Sequence, residues 1–262
     1  MVADELITAN DKSSLVPPFT QQYPGLTAKA GYAAARALHE HRLRMGWQPA
    51  GRKIGFTNRT LWDRYGVREP MWGTVYDRTL IQADTDRATV KLDGLVQPRI
   101  EPEIAFKLKA VPRSSKQEEL LSCIEWMAHA VEIVQCHFPN WKFTIADCCA
   151  DNGLHGRLIV GTPVLVKDVA DLVERLPNVE ARLFKGDQIV DKGVGANVLG
   201  SPLLSFGHFV DLLKAQPEAP PLRTGEIVTT GVLTDAHPVA PGERWHTEIA
   251  GLPLKGLSIS FE

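Results

Sequence analysis

Read from the N-terminus, apolar positions first recur with a helical period and later in short alternating runs. Between Leu26 and Met45, the residues Ala34, Leu38 and Met45 fall on one face. Thr27 can cap the start and Gly46 can end the run, which predicts a helix. His41 shares that face and interrupts the stripe. Ahead of it, residues 9–25 are polar and proline-containing and read as an irregular lead-in. A second, short helix is predicted at Arg59–Tyr65, with Thr57 or Asn58 as its cap and Gly66 as its stop. Beyond about Met71 the pattern changes. β-like runs at 73–76, 95–108, 128–136, 156–161, 179–191, 226–233 and 244–261 are divided by Gly, Pro and Asp. Helical stretches at about Lys116–Trp126, Asp168–Arg175 and Ser201–Ala215 interrupt them, and Lys185-Gly-Asp-Gln188 has the turn chemistry of a hairpin. Strands dominate without a regular βαβ alternation. The expectation is an α+β protein: a helical N-terminal region over 1–70, and a mixed β-sheet roll over 71–262 forming one compact β-rich unit.

Within that β-rich part, Arg99-Ile-Glu-Pro-Glu-Ile-Ala-Phe106 places two glutamates among apolar residues, and Ala130-Val-Glu-Ile-Val134 holds a third. Side chains two apart on a strand share a face, so Glu101 and Glu103 aim together. The expected enclosure is built by Ile100, Ile104 and Phe106. Glu132, flanked by Val131, Ile133 and Val134, reads as part of a buried strand. Carboxylates buried near one another must protonate or share a cation. A hard divalent ion suits oxygen ligands, Mg²⁺ first and Mn²⁺ second. The alternative is an exposed acidic face paired with Arg99, Lys107 or Lys109.

Other segments carry weaker chemistry. Lys53, in Gly51-Arg-Lys-Ile-Gly-Phe-Thr57, could approach an anionic ligand with help from backbone NH groups near Thr57, or be a solvated lysine at a strand end. Asp151-Asn-Gly153 is turn chemistry. His155 just after it is a possible acid/base group at a strand mouth, or a structural histidine. Gly193-Val-Gly-Ala-Asn-Val-Leu-Gly200 lacks the GxGxxG spacing and follows a predicted hairpin, so a dinucleotide site is rejected.

Composition narrows the setting. Across 262 residues, 44% are hydrophobic and 23% charged, an ordinary globular profile. A net charge of -2 offers no basic stripe for nucleic acid and no polybasic patch for a membrane. No apolar run approaches the roughly 20 residues that span a bilayer. The N-terminal residues lack the charged-then-apolar order of a secretory signal. The four cysteines form no CxxC pair, which argues against a zinc site or disulfide scaffold, and a cytoplasmic protein with reduced thiols is expected.

Taken in order, Lys53-Ile-Gly-Phe-Thr57, Trp72-Gly-Thr-Val-Tyr-Asp77, Gln97-Pro-Arg-Ile-Glu-Pro-Glu-Ile-Ala105, Val131-Glu-Ile-Val134, Ala150-Asp-Asn152 and Arg223-Thr-Gly-Glu-Ile-Val-Thr-Thr-Gly231 resemble a known family. It is the 2-oxopent-4-enoate hydratase / 4-oxalocrotonate decarboxylase group of the fumarylacetoacetate hydrolase superfamily, and the likeness runs from about Gly31 to the C-terminus. The resemblance implies a mixed β-sheet roll of that superfamily's type. It implies that Glu101, Glu103 and Glu132 hold Mg²⁺, that Lys53 contacts substrate and moves a proton or binds a carboxylate, and that Asp77 lines the same pocket. It also implies a small 2-oxo acid substrate, a role in aromatic catabolism and a homo-oligomer. One departure stands out. Where the hydratases carry a small hydroxyl residue shortly after Asp-Asn, this chain reads Gly153-Leu154-His155, which makes His155 a candidate substitute.

The reaction implied first is hydration of a short unsaturated 2-oxo or 2-hydroxydienoic acid through a metal-stabilised enolate. Decarboxylation of a 4-oxalocrotonate-like acid and C–C hydrolysis of an acylpyruvate are the alternatives. A non-enzymatic β-rich module holding a structural Ca²⁺ would instead favour loop-borne ligands, whereas these acids sit on apolar strands.

Overall fold

Capping chemistry starts the long N-terminal helix where the sequence places it: the Thr27 hydroxyl accepts the Ala30 N–H. Gly46, at φ 80°, lies just past its end. Residues 1–262 are described by a computed structural model, the side chain of Asp84 excepted. Its helices are α1 (Val2–Lys12), α2 (Phe19–Gln22), α3 (Ala28–Arg44), α4 (Trp62–Tyr65), α5 (Gln117–Cys123), α6 (Ile145–Ala150), α7 (Leu172–Arg175) and α8 (Pro202–Lys214). None is long and apolar enough to cross a membrane.

The strands are β1 (Pro49–Gly55), β2 (Met71–Tyr76), β3 (Leu80–Gln82), β4 (Arg87–Val90), β5 (Arg99–Leu108), β6 (Ile124–Val134) and β7 (His155–Val160). There follow β8 (Val164–Leu165), β9 (Glu180–Lys185), β10 (Gln188–Val194), β11 (Ile227–Thr229), β12 (His237–Pro238), β13 (Arg244–Ala250) and β14 (Ser258–Phe261). They build two mixed sheets. The larger runs β2-β1-β11-β5-β6-β7-β3, with β12 added on β5 and β8 on β6; the smaller runs β10-β9-β13-β14-β4. The β9–β10 hairpin turns at Gly186, φ 56°, as the Lys185–Gln188 turn chemistry predicts.

Several elements differ from the sequence expectation. Helix α1 runs into the expected lead-in at 9–25 and α2 lies within it: with only Leu6 and Ala9 buried on α1, its apolar period is too short to read. Residues 49–55 form a strand inside the main sheet, so β-structure begins well before residue 71. The helix expected to reach Trp126 stops at Cys123, and β6 begins at Ile124 with its long apolar run. Helix α6 also escaped notice, because its six residues carry no stripe.

Strand parity decides what each face of β5 meets. Ile104, Phe106 and Leu108 point to the side where Leu203, Phe206 and Phe209 of α8 close the largest core. Those apolar side chains therefore do not enclose Glu101 and Glu103, as expected, but occupy the opposite face. Burial of a side chain such as Phe206 contributes roughly 1.5–3 kcal/mol. On the other face Ala105, Ala128 and Ala130 keep the surface low and leave room for the acids. The helical layer packs alongside: Gly31 of α3 lies so close to α6 that an added Cβ would collide with the Ala146 carbonyl oxygen.

That layer is pinned by one carboxylate. Fully buried Asp147 accepts the backbone N–H and hydroxyl of Thr20 at 2.9 and 2.7 Å, and the N–H of Thr144 at 2.8 Å. Thr20 is half-buried and Thr144 exposed, so Asp147→Ala, which leaves their donors to water or unpaired, should lower unfolding stability by about 1–2 kcal/mol. A denaturant melt reads this; a midpoint shift equivalent to less than about 0.5 kcal/mol would show that the link is dispensable.

Candidate active site

The antiparallel pairing of β5 with β6 sets the acids together. Glu101 stands directly opposite Glu132, and Glu103 sits two residues along on the same face as Glu101. One carboxylate oxygen from each lies within 4.8 Å of the others. Glu103 and Glu132 are wholly buried, while Glu101 is partly open to a cavity that Lys53 also lines.

Each buried acid is held from behind. Glu103 Oε2 accepts the Gly231 N–H at 2.7 Å. Glu132 Oε1 lies 2.8 Å from His155 Nδ1, whose Nε2 is 2.8 Å from the Thr79 hydroxyl. Lys53 reaches in from β1, its Nζ 3.2 Å from Glu132 Oε2 and 2.9 Å from the Gly153 carbonyl oxygen. Glu103 Oε1 is buried with no hydrogen-bond partner, and Glu101 makes no side-chain hydrogen bond among the described residues.

Electrostatics follow from this crowding. Burial, with the charge of Glu132 beside it, pushes Glu103 up to about 8. Burial also raises Glu101 and Glu132, more than the Lys53 ammonium lowers them. For Lys53 the balance reverses: burial disfavours its charge, but the three carboxylates, Glu132 foremost, outweigh that and hold its pKa above the ordinary lysine value. Burial, then the Lys53 charge, drives His155 well below the usual imidazole range. One lysine does not balance three clustered acids, and Glu103 Oε1 lacks any donor among the described residues. The all-oxygen donor set and its orphaned atom fit a hard divalent cation.

Two candidate residues lie elsewhere than expected. Asp77 is exposed beyond the end of β2, where its carboxylate accepts the Gln48 and Arg78 N–H groups, each at 2.9 Å. The ladder pairs Lys53 with Gly73, so Asp77 lies four residues along, about 13 Å away. It does not line the cavity. His155 does not face the cavity either: it is buried behind Glu132, with both ring nitrogens engaged, and acts as a buttress instead of an acid or base at the mouth. Asn152 is structural as its turn chemistry suggests, clamping Thr74 through both its backbone N–H and its carbonyl.

Sequence reasoning missed the cavity's outer wall. Phe56, Leu61, Tyr65, Trp141, Val232 and Ala236 line it. Tyr65 stacks on Phe143, their ring centroids 5.6 Å apart, and donor Arg99 Nη1 meets the Tyr65 hydroxyl at 2.9 Å. Phe56, Trp141 and Leu154, all on this lining, hold φ values of 54°, 57° and 62°. Such backbone is strained for large side chains and collects at functional sites. One sequence signal pointed here: Arg99 is two residues before Glu101 and shares its face.

No family model matches the chain. It is 31% identical over 239 residues to a 2-hydroxyhexa-2,4-dienoate hydratase of Comamonas testosteroni, covering 90% of this chain and 87% of the relative. It is 30% identical, at the same coverage, to a 4-oxalocrotonate decarboxylase of Pseudomonas sp. (strain CF600). Among solved structures, the 4-oxalocrotonate decarboxylase of Pseudomonas putida G7 complexed with magnesium and adipate superposes with a TM-score of 0.89 at 26% identity, covering 100% of this chain and 96% of that one.

Gly231 gives the site a direct test. At φ 95° it tolerates no side chain easily, and an added Cβ would collide with Thr57 Oγ1. Gly231→Ala should cost roughly 1–3 kcal/mol of stability and displace the N–H that holds Glu103. Thermal melts with and without a divalent ion check this. The variant should lose most of the ion-induced rise in Tm that the wild type shows; an unchanged rise would separate Gly231 from the acid cluster.

Proposed function

The chain belongs to the 2-oxopent-4-enoate hydratase / 4-oxalocrotonate decarboxylase family of the fumarylacetoacetate hydrolase superfamily, and from that premise we propose that it is a metal-dependent lyase hydrating a short unsaturated 2-oxo or 2-hydroxydienoic acid. The observation that carries the reading is the convergence of three strand-borne carboxylates within 4.8 Å beside a buried lysine. Glu101, Glu103 and Glu132 would hold the cation, Mg²⁺ being the proposed species. When bound it supplies a Lewis acid for the carboxylate and 2-oxo oxygens of the substrate.

The chain's own residues do the rest. Gly231 and His155 fix Glu103 and Glu132, so the acids need no rearrangement as substrate arrives. Lys53 Nζ, anchored on the Gly153 carbonyl, is placed to pair with the substrate carboxylate and to move a proton as enol and ketone interconvert. The dienol loses its 2-hydroxyl proton and gains one at C5, giving a conjugated 2-oxo-3-enoate. Water then adds its oxygen at C4 and a proton at C3, leaving a 4-hydroxy-2-oxo acid. The aromatic wall limits bulk water around these steps. Decarboxylation of a 4-oxalocrotonate-like acid is the second reading, supported by the near-equal identity to enzymes of both kinds. We further propose a cytoplasmic homo-oligomer serving aromatic catabolism, with no nucleic-acid or membrane partner.

Purified protein assayed with 2-hydroxypenta-2,4-dienoate and Mg²⁺ should give the 4-hydroxy-2-oxo acid without carbon dioxide. Carbon dioxide release from oxalocrotonate as the sole activity would select the second reading. Glu103→Gln keeps an acceptor for Gly231 and should stay folded while losing metal-dependent turnover. Lys53→Ala should lower kcat at least about 100-fold with metal binding retained. Asp77→Asn, on the surface, should hold kcat within about twofold. Wild-type turnover in Glu103→Gln would remove the metal assignment.

A further inference from the structure

We infer that Tyr65, held by Arg99, is a further catalytic residue: its phenol gives a proton to the far end of the conjugated substrate and takes one back from the water that adds. The inference rests on the functional reading above, and names the group that works away from the cation.

Hydration of a dienol moves protons at two separate places. Those on the 2-oxygen and at C3 belong to the end held by the acids and Lys53, whereas C5 and the water at C4 lie further along the substrate. Asp77 is outside the cavity, and His155 is turned behind Glu132. Between Asn152 and His155 it is Leu154 that lines the cavity, and it carries no proton to transfer. Among the other lining residues, Lys53 is engaged by Glu132 and the Gly153 carbonyl, and Glu101 is a proposed cation ligand. Asn58 gives its amide N–H to the Thr234 carbonyl, Trp141 its indole N–H to the Gln97 carbonyl, and neither is an acid. Tyr65 is left.

Its ring is fixed while its proton is free. Tyr65 lies flat on Phe143, with an interplanar angle of 7° and centroids 5.6 Å apart, and Phe56 packs at 5.8 Å. Arg99 Nη1 donates to the hydroxyl oxygen at 2.9 Å, and the hydroxyl proton has no acceptor among the described residues. Nor does Tyr65 hydrogen-bond any of the three acids, which leaves it to the substrate and not to the cation's ligands. Arg99 shares the face of β5 with Glu101, roughly 7 Å along the strand. Half-buried, 4.2 Å over the Trp141 ring and without a carboxylate partner among the described residues, its guanidinium is available to a phenolate. Burial raises the Tyr65 phenol above its ordinary value more than the Arg99 charge lowers it, so the residue meets substrate as the protonated acid.

Protons and electron pairs balance. The Tyr65 O–H bond breaks and a C5–H bond forms from the C4–C5 π pair. The C2–C3 pair moves to C3–C4, and the 2-hydroxyl becomes a carbonyl as it releases its proton. Water then bonds through oxygen to C4 and yields a proton to the phenolate beside Arg99, while the C3–C4 pair returns to C2–C3. A proton regained at C3, on the Lys53 side, replaces the one lost from the 2-hydroxyl. The sum is the addition of one water, with tyrosine restored.

Tyr65→Phe keeps the stacked ring and removes the proton. In Mg²⁺-loaded enzyme it should lower kcat for hydration of 2-hydroxypenta-2,4-dienoate at least about 100-fold. Calorimetric affinity for oxalate, a probe of the cation end alone, should stay within about twofold of wild type. Arg99→Gln retains a donor but removes the charge, and should lower kcat about 10-fold or more. The double variant should be no slower than Tyr65→Phe, because Arg99 acts through the tyrosine. Three results would each overturn the inference: Tyr65→Phe turning over within about threefold of wild type, an equal loss of oxalate affinity in that variant, or additive losses in the double variant. A wild type that does not hydrate the dienoate would instead strike the functional reading itself.

Discussion

Repulsion among three carboxylates is the constraint around which this molecule is arranged. Two of them are shut away from water, and a single lysine faces all three. Left to themselves the acids must take up protons, as the elevated Glu103 shows. The fold counters this with donors fixed in the backbone and with a histidine locked between Glu132 and Thr79. Such an assembly holds unfavourable electrostatic energy that a divalent ion would relieve, and ion binding there would be thermodynamically linked to folding.

Much of that arrangement is visible in the sequence, and the part that is not has a physical reason. That Glu101 and Glu103 share a face follows from the two-residue strand period. That Glu132 stands opposite Glu101 depends on the β5–β6 register, which no local pattern reports. Parity also explains one error: Ile104 and Phe106 alternate with the acids and therefore pack under α8 instead of around the cavity. The hairpin at Gly186 and the cap at Thr27 are local chemistry and were readable. Helices α1 and α6 were not, because their stability comes from packing on α3 and not from a periodic stripe.

Asp77 and His155 illustrate the same divide for chemistry. His155 follows Leu154 of the cavity lining, Asp77 follows the strand that pairs with the lysine's own, and both are titratable, which is all a sequence can say. Three-dimensional placement separates them: one is turned out past the last rung of β2, the other is enclosed behind an acid. The outer wall is the converse case. Phe56, Tyr65 and Trp141 come from three separate loops and helices, so nothing in their spacing links them, yet they meet around one space with strained backbone at Phe56 and Trp141.

The turn between α6 and β7 has a role larger than its length. Its Gly153 carbonyl anchors the lysine, its Asn152 grips β2, and its start is continuous with the helix wedged against Gly31. Helical layer and sheet are thus not interchangeable modules. A chimaera grafting the N-terminal helices of a relative onto this sheet would have to bring the matching 145–155 segment with it, or the ammonium group would be left without its tether.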